Sequence, residues 1–133
     1  MLVWAKDRIV LGRMDYHSQH EPIFYGWKPG AAHHGVADRS ATSVFSVKRP
    51  GASPEHPTMK PVELIEPMIT NSTHRNALVL DPFGGSGSTL IAAAKTSRRA
   101  ALVELDPGYC DVIRKRWTAW ARAAGVEPGP GAL

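Results

Sequence analysis

Hydrophobic spacing changes character at about residue 56. Before it, short apolar and aromatic runs, LVWA at 2–5, IVLG at 9–12, PIFYGW at 22–27 and TSVFSV at 42–47, alternate with turn-forming and polar residues. Runs of that length bounded by breakers predict short strands joined by loops. The stretch from Lys28 to Ser40 is the loopiest.

From Pro61 onward the periods lengthen and alternate. They predict a helix over 61–71, a strand over 77–80, a helix over 88–96, a strand over 100–105 and a helix over 107–124. Strand and helix in that alternation imply parallel strands with crossover helices, an α/β class. Pro67 lies inside the first helical stretch, where it removes a donor and crowds the preceding turn, so a kink or break is expected near Glu66. The last helix carries its own boundaries: Asp106 as cap, Pro107 in the first turn, and Gly125 then Pro128 as stops. Tyr109, Val112, Ile113, Trp117, Trp120 and Ala124 form its apolar stripe. Arg114, Lys115, Arg116 and Arg122 read as a solvated face that complements the helix dipole. Cys110 reads as an inert packing residue.

Composition narrows the class further. The 133 residues suffice for one domain, expected to be incomplete: residues 1–125 as the domain (1–55 strands and loops, 56–125 a ligand-binding half) and 126–133 as a flexible tail. Sixteen Lys and Arg against twelve Asp and Glu give +4, an excess that permits nucleic-acid contact. One cysteine excludes an internal disulfide framework, and no apolar run is long enough to span a membrane. A cytoplasmic protein is expected.

The stretch DPFGGSGSTL, residues 81–90, joins a strand to a helix through three glycines. Such a junction aims backbone N–H groups at a ligand. A nucleoside triphosphate loop needs Gly-Lys-Ser/Thr, and no lysine follows Gly87. The spacing of Gly84, Gly85 and Gly87 also fails G-x-G-x-x-G, which disfavours an NAD-dependent oxidoreductase. Asp81 at the mouth would repel a pyrophosphate but favour an ammonium or sulfonium beside a single carboxylate, the charge pattern of S-adenosylmethionine. A plain strand-to-helix turn remains the alternative for this loop alone. Gly87 is expected to let a ligand approach the backbone, and Gly84 to serve a tight turn with positive φ.

The next strand ends in VELDPGY, placing Glu104 at its tip, where a carboxylate can accept both hydroxyls of a ribose. HPTMKP at 56–61, DPFGGSGSTL and VELDPGYC, in that order, resemble the C-terminal half of the DNA amino-methyltransferases of the permuted class, in which the catalytic motif precedes the cofactor motif. LVWAKDRIVLGRMDYHSQHEPIFYGWK is similar to the segment that follows the catalytic motif in phage and prophage members. The resemblance implies an incomplete Rossmann-like methyltransferase domain with a mostly parallel sheet. It implies S-adenosylmethionine as donor and double-stranded DNA as substrate, with the exocyclic amine of adenine (N6) preferred over cytosine (N4).

By that resemblance Asp81, Phe83, Gly85 and Gly87 line the cofactor site, Glu104 holds its ribose, and Thr58 with Lys60 approaches its methionine end. An ordinary core role rivals the site role for Phe83, as capping does for Thr58 and simple exposure for Lys60. Tyr25, with His20 second, is the candidate for holding a base turned out of the duplex. Arg39, Lys48 and Arg49 are candidate phosphate contacts. His17, His20 and Glu21 do not match H-E-x-x-H and no third ligand is near, so no metal is expected.

The family's D/N/S-P-P-aromatic tetrapeptide accepts hydrogen bonds from the target amine and localises its lone pair. No Pro-Pro occurs in these 133 residues. The expectation is therefore a fragment inactive alone, completed by a separate N-terminal catalytic piece; the rival is a non-catalytic cofactor- or DNA-binding regulatory module.

Overall fold

The computed structural model describes residues 1–36, 38, 40–51 and 59–127. Two small sheets flank the first helix. The N-terminal sheet is ordered β2-β1-β3, from β1 (Leu2–Val10), β2 (Ser18–Ile23) and β3 (Val44–Ser46). β1 and β2 run antiparallel, with Trp4 opposite Glu21 and Ala5 opposite His20, and the register shifts between Ala5 and Val10. β3 adds parallel to β1. The second sheet pairs β4 (Leu78–Asp81) with β5 (Arg99–Leu102) in parallel, so two of the three strand pairings are parallel.

Several boundaries depart from the sequence reading. LVWA and IVLG belong to one nine-residue strand, because charged Lys6, Asp7 and Arg8 between them lie on a sheet with a wet face. PIFYGW contributes only Pro22 and Ile23 to β2; Phe24, Tyr25 and Trp27 run on beyond it as exposed loop residues. β5 stops at Leu102, so Glu104 sits two residues past the strand.

α1 (Val62–Ser72), α2 (Ser88–Lys95) and α3 (Pro107–Ala124) follow. α1 runs unbroken through Pro67, against the expected break. Its two buried side chains, Leu64 and Ile69, lie on either side of the proline and fix both turns, and Lys95 of α2 pairs with Glu66. Packing on both sides outweighs the one lost backbone bond. Ile69 meets Ala92 and Ala93, both fully buried, with Val62, Ile65, Val79 and Ala100 around them. Alanines at the contact let α1, α2 and the β4-β5 sheet approach closely.

Arg98 ties this unit together: Nε and Nη2 donate to the Thr73 hydroxyl and carbonyl, and Nη1 to the Thr96 carbonyl, which satisfies the C-terminal ends of two helices. At α3 the Asp106 carboxylate accepts the Gly108 N–H at 2.7 Å, and Gly125 ends the helix at φ +66°. Those caps match the sequence reading. The stripe differs at its end, where Ala121 is buried and Ala124 exposed.

Candidate cofactor and nucleic-acid site

The glycine-rich turn is held by main-chain bonds from both strands. Val103 N–H donates to the Asp81 carbonyl at 2.9 Å, and Gly84 N–H donates to the Val103 carbonyl at 2.9 Å, so the parallel ladder continues past the strand ends into the loop. The Asp81 carboxylate accepts the Phe83 N–H at 3.0 Å, and Gly87 N–H closes on the Gly84 carbonyl at 2.8 Å. Gly85 (φ +52°) and Gly87 (φ +77°) adopt the left-handed conformation that glycine supplies without strain.

Glu104 bridges this turn to the next. One carboxylate oxygen accepts the Gly85 N–H at 2.6 Å and the other accepts the Asp106 N–H at 3.0 Å. Asp81, Gly85, Gly87 and Glu104 are thereby gathered at one end of the β4-β5 sheet. Phe83 projects there with 86% of its surface exposed, which removes the core role that rivalled its site role.

The glycines divide the work differently from the expectation. A β-carbon at Gly87 would lie 3.1 Å from Ile113 of α3, and Gly87 also needs its positive φ. Gly84 has no positive φ; a β-carbon there would press on Ile113 at 3.2 Å and Leu102 at 3.3 Å. Both positions are small because α3 packs over them.

α1 joins the loop at its start. The buried Ser88 hydroxyl donates to the Lys60 carbonyl at 2.7 Å, fixing the residues before α1 against the first turn of α2. Lys60 Nζ pairs with Glu21 at 3.0 Å, and Glu21 also pairs at 2.7 Å with Lys6, whose side chain is only 6% exposed. Both ammonium groups lie over the ring of Trp4, at 5.2 and 5.8 Å, in cation–π geometry. Burial alone would raise the Glu21 carboxyl, but the hydrogen bonds and charges of Lys6 and Lys60 hold it below the usual carboxylate range. Trp4, Lys6 and Glu21 escaped the sequence reading. Their signal was the alternation that puts Trp4 and Lys6 on one face of β1; the register that sets Glu21 opposite Trp4 is not written locally.

The base-pocket candidates separate. Tyr25 lines cavities with Met68, Asn71 and Ser72 at the C-terminal end of α1, about 15 Å along that helix from Lys60. Its hydroxyl lies 3.0 Å from His33 Nε2, and its ring meets edge-on a stacked Trp27–His33 pair. His20, on β2 next to Glu21, is exposed and nearer the loop end. Lys48 and Arg49 follow β3, and the Arg49 N–H donates to Asp7 at 2.9 Å. Thr58 and Arg39 lie outside the described residues. Among the described residues no group of His, Cys, Asp and Glu could hold a metal ion, and no helix is long and apolar enough to cross a membrane.

The fold and this end of it define a class: an α/β domain whose strand–glycine turn–helix junction is clamped by a carboxylate from the following strand. The chain belongs to the DNA methylase family, whose profile matches residues 1–115. It is 48% identical over 68 residues to "Putative methylase YubD" of Escherichia coli (strain K12), a match covering 51% of this chain and 30% of that protein. The M1.HpyAVI–SAM complex superposes with a TM-score of 0.72 at 24% identity, over 86% of this chain and 59% of that one. TTHA0409, a DNA modification methylase of Thermus thermophilus solved with S-adenosyl-L-methionine, gives 0.55 at 26% identity, over 98% of this chain and 53% of that one. The chain thus spans about a third of its curated relative and under two thirds of either solved chain.

Proposed function

We propose that this chain is the S-adenosylmethionine-binding part of a DNA N-methyltransferase acting on an exocyclic base amine, adenine N6 in preference to cytosine N4. The observation that carries the reading is the Glu104 carboxylate bound to the Gly85 N–H at 2.6 Å, with Asp81 and exposed Phe83 beside it. A carboxylate engaged by two N–H groups keeps lone pairs for ribose hydroxyls, since each oxygen accepts more than one bond. Asp81 suits the cofactor's ammonium, Phe83 its adenine, and Lys60, steadied by Glu21, its carboxylate. When bound, the cofactor supplies an electrophilic methyl group. Its presence in the solved complex of TTHA0409, a relative of this chain, supports the assignment.

The amine-activating tetrapeptide is assigned to a polypeptide segment outside these 133 residues. Leu78, Leu80, Val103 and Leu105 leave an apolar surface, 57% to 97% exposed by residue, along β4 and the β5 end, where such a segment can dock. The chain alone is then expected to bind S-adenosylhomocysteine without transferring methyl groups. Calorimetry with that ligand, run beside a radiolabel transfer assay on mixed-sequence duplex, tests both halves. No heat of binding overturns the cofactor assignment, and turnover by the chain alone overturns the assignment of the tetrapeptide.

A further inference from the structure

Two adjoining cavities open beside the start of α1, of about 290 and 360 Å³. They share Arg49, Pro50, Met59 and Lys60 and so form one trough. Six cations from four parts of the chain line it: Lys6 and Arg8 on β1, Lys48 and Arg49 after β3, Lys60, and Arg116 of α3. The acidic side chains lining it, among the described residues, are Glu21 and Glu63. Glu21 is already shared between Lys6 and Lys60, and Asp7, just outside, lies 3.6 Å from Arg8. Positive charge therefore stays in excess over every carboxylate nearby. Like charges held this close repel unless an anion joins them, and such a concave surface focuses their field outward.

From this trough we infer a phosphodiester-binding site for the DNA backbone, with Arg8 and Arg49 as its contacting side chains; the inference rests on the DNA-methylating reading above. Three features favour a nucleic-acid phosphate. The family acts on DNA, the trough adjoins the glycine-rich turn through the Ser88–Lys60 bond, and guanidinium groups match phosphate oxygens in pairs. Arg116, read from sequence as part of a solvated face, instead reaches across to the Ser86 carbonyl and borders the trough. Neither Arg8 nor Arg49 reads base edges in this role, so the contact positions the duplex without reading its sequence.

The test is fluorescence anisotropy of two labelled duplexes of unrelated sequence, titrated with wild type, Arg8→Ala, Arg49→Ala and the control Lys115→Ala between about 50 and 200 mM salt. Each trough variant should weaken binding several-fold on both duplexes and flatten the slope of log affinity against log salt by about 0.9, one phosphate's worth, while the control changes neither. Thermal melting establishes that the variants fold, and Lys48→Ala replaces any that does not. Slopes equal to wild type overturn the inference while leaving DNA binding standing. A loss confined to S-adenosylhomocysteine affinity also overturns it, showing that the trough serves the cofactor's carboxylate. A wild-type chain that binds the homocysteine cofactor but neither duplex overturns the phosphate site alone; one that binds none of them overturns the methylation reading as well.

Discussion

Glu104 accepts the Gly85 N–H on one oxygen, at 2.6 Å, and the Asp106 N–H on the other, at 3.0 Å. A single carboxylate thus fixes the glycine turn against the start of α3. Glu104→Ala should lower both the melting temperature and S-adenosylhomocysteine affinity, the latter by about 1.5–3 kcal/mol as expected for a bond to a charged acceptor. Glu104→Gln keeps one acceptor oxygen and should lie between. Paired calorimetric titrations and melts check this, and a Glu104→Ala chain with wild-type affinity would remove the residue from the site.

Gly84 and Gly87 both face Ile113, yet for different reasons. Gly87→Ala adds strain at φ +77° as well as a 3.1 Å contact, so it should cost about 1 kcal/mol or more and survive any trimming of the neighbour. Gly84→Ala meets Ile113 Cδ1 at 3.2 Å, an atom that Ile113→Val deletes. The double variant Gly84→Ala/Ile113→Val should recover part of its stability relative to the sum of the singles, whereas Gly87→Ala/Ile113→Val should not. Melting curves of the five chains decide it; equal coupling in both pairs contradicts the distinction.

Pro67 sits in the middle of α1 with the helix intact around it. Pro67→Ala restores a donor for the Glu63 carbonyl and removes the ring, so stability should rise, by about 1 kcal/mol or more. A drop in urea midpoint would mean that the proline ring itself is needed in the packing.

Lys6 depends on Glu21, and the dependence has a direction in pH. Because the folded Glu21 carboxyl is held below its usual 4.5, its contribution is present above that value and fades as pH falls through the lowered one. Glu21→Gln strands the buried ammonium of Lys6 and should destabilise the chain at neutral pH. The cost is on the order of 1–3 kcal/mol, below that of a fully buried pair because Glu21 is partly solvated. The gap between wild type and variant should close near about pH 3. Urea unfolding at the two pH values measures it; a gap independent of pH would show that the ion pair is not its source.

The sequence by itself determined the C-terminal half. The 3.6-residue stripe of α3, its Asp106 and Gly125 caps, and the strand–glycine turn–helix succession around 81–90 are local patterns, and backbone physics answers to them within a few residues. Asp81, Gly85, Gly87 and Glu104 could be gathered in advance because a parallel crossover brings neighbouring strand ends together. Only the tertiary structure decided what depends on partners distant in the chain. The passage of α1 through Pro67 is set by Leu64 and Ile69 packing on either side, and the smallness of Gly84 and Gly87 by Ile113 almost thirty residues on. The placement of Tyr25 away from the turn, and the meeting of Trp4, Lys6, Glu21 and Lys60, follow from the β1-β2 register and the docking of α1. A strand's alternation says which residues share a face but not what that face meets, and a one-residue slip in pairing would have sent Glu21 to the other side.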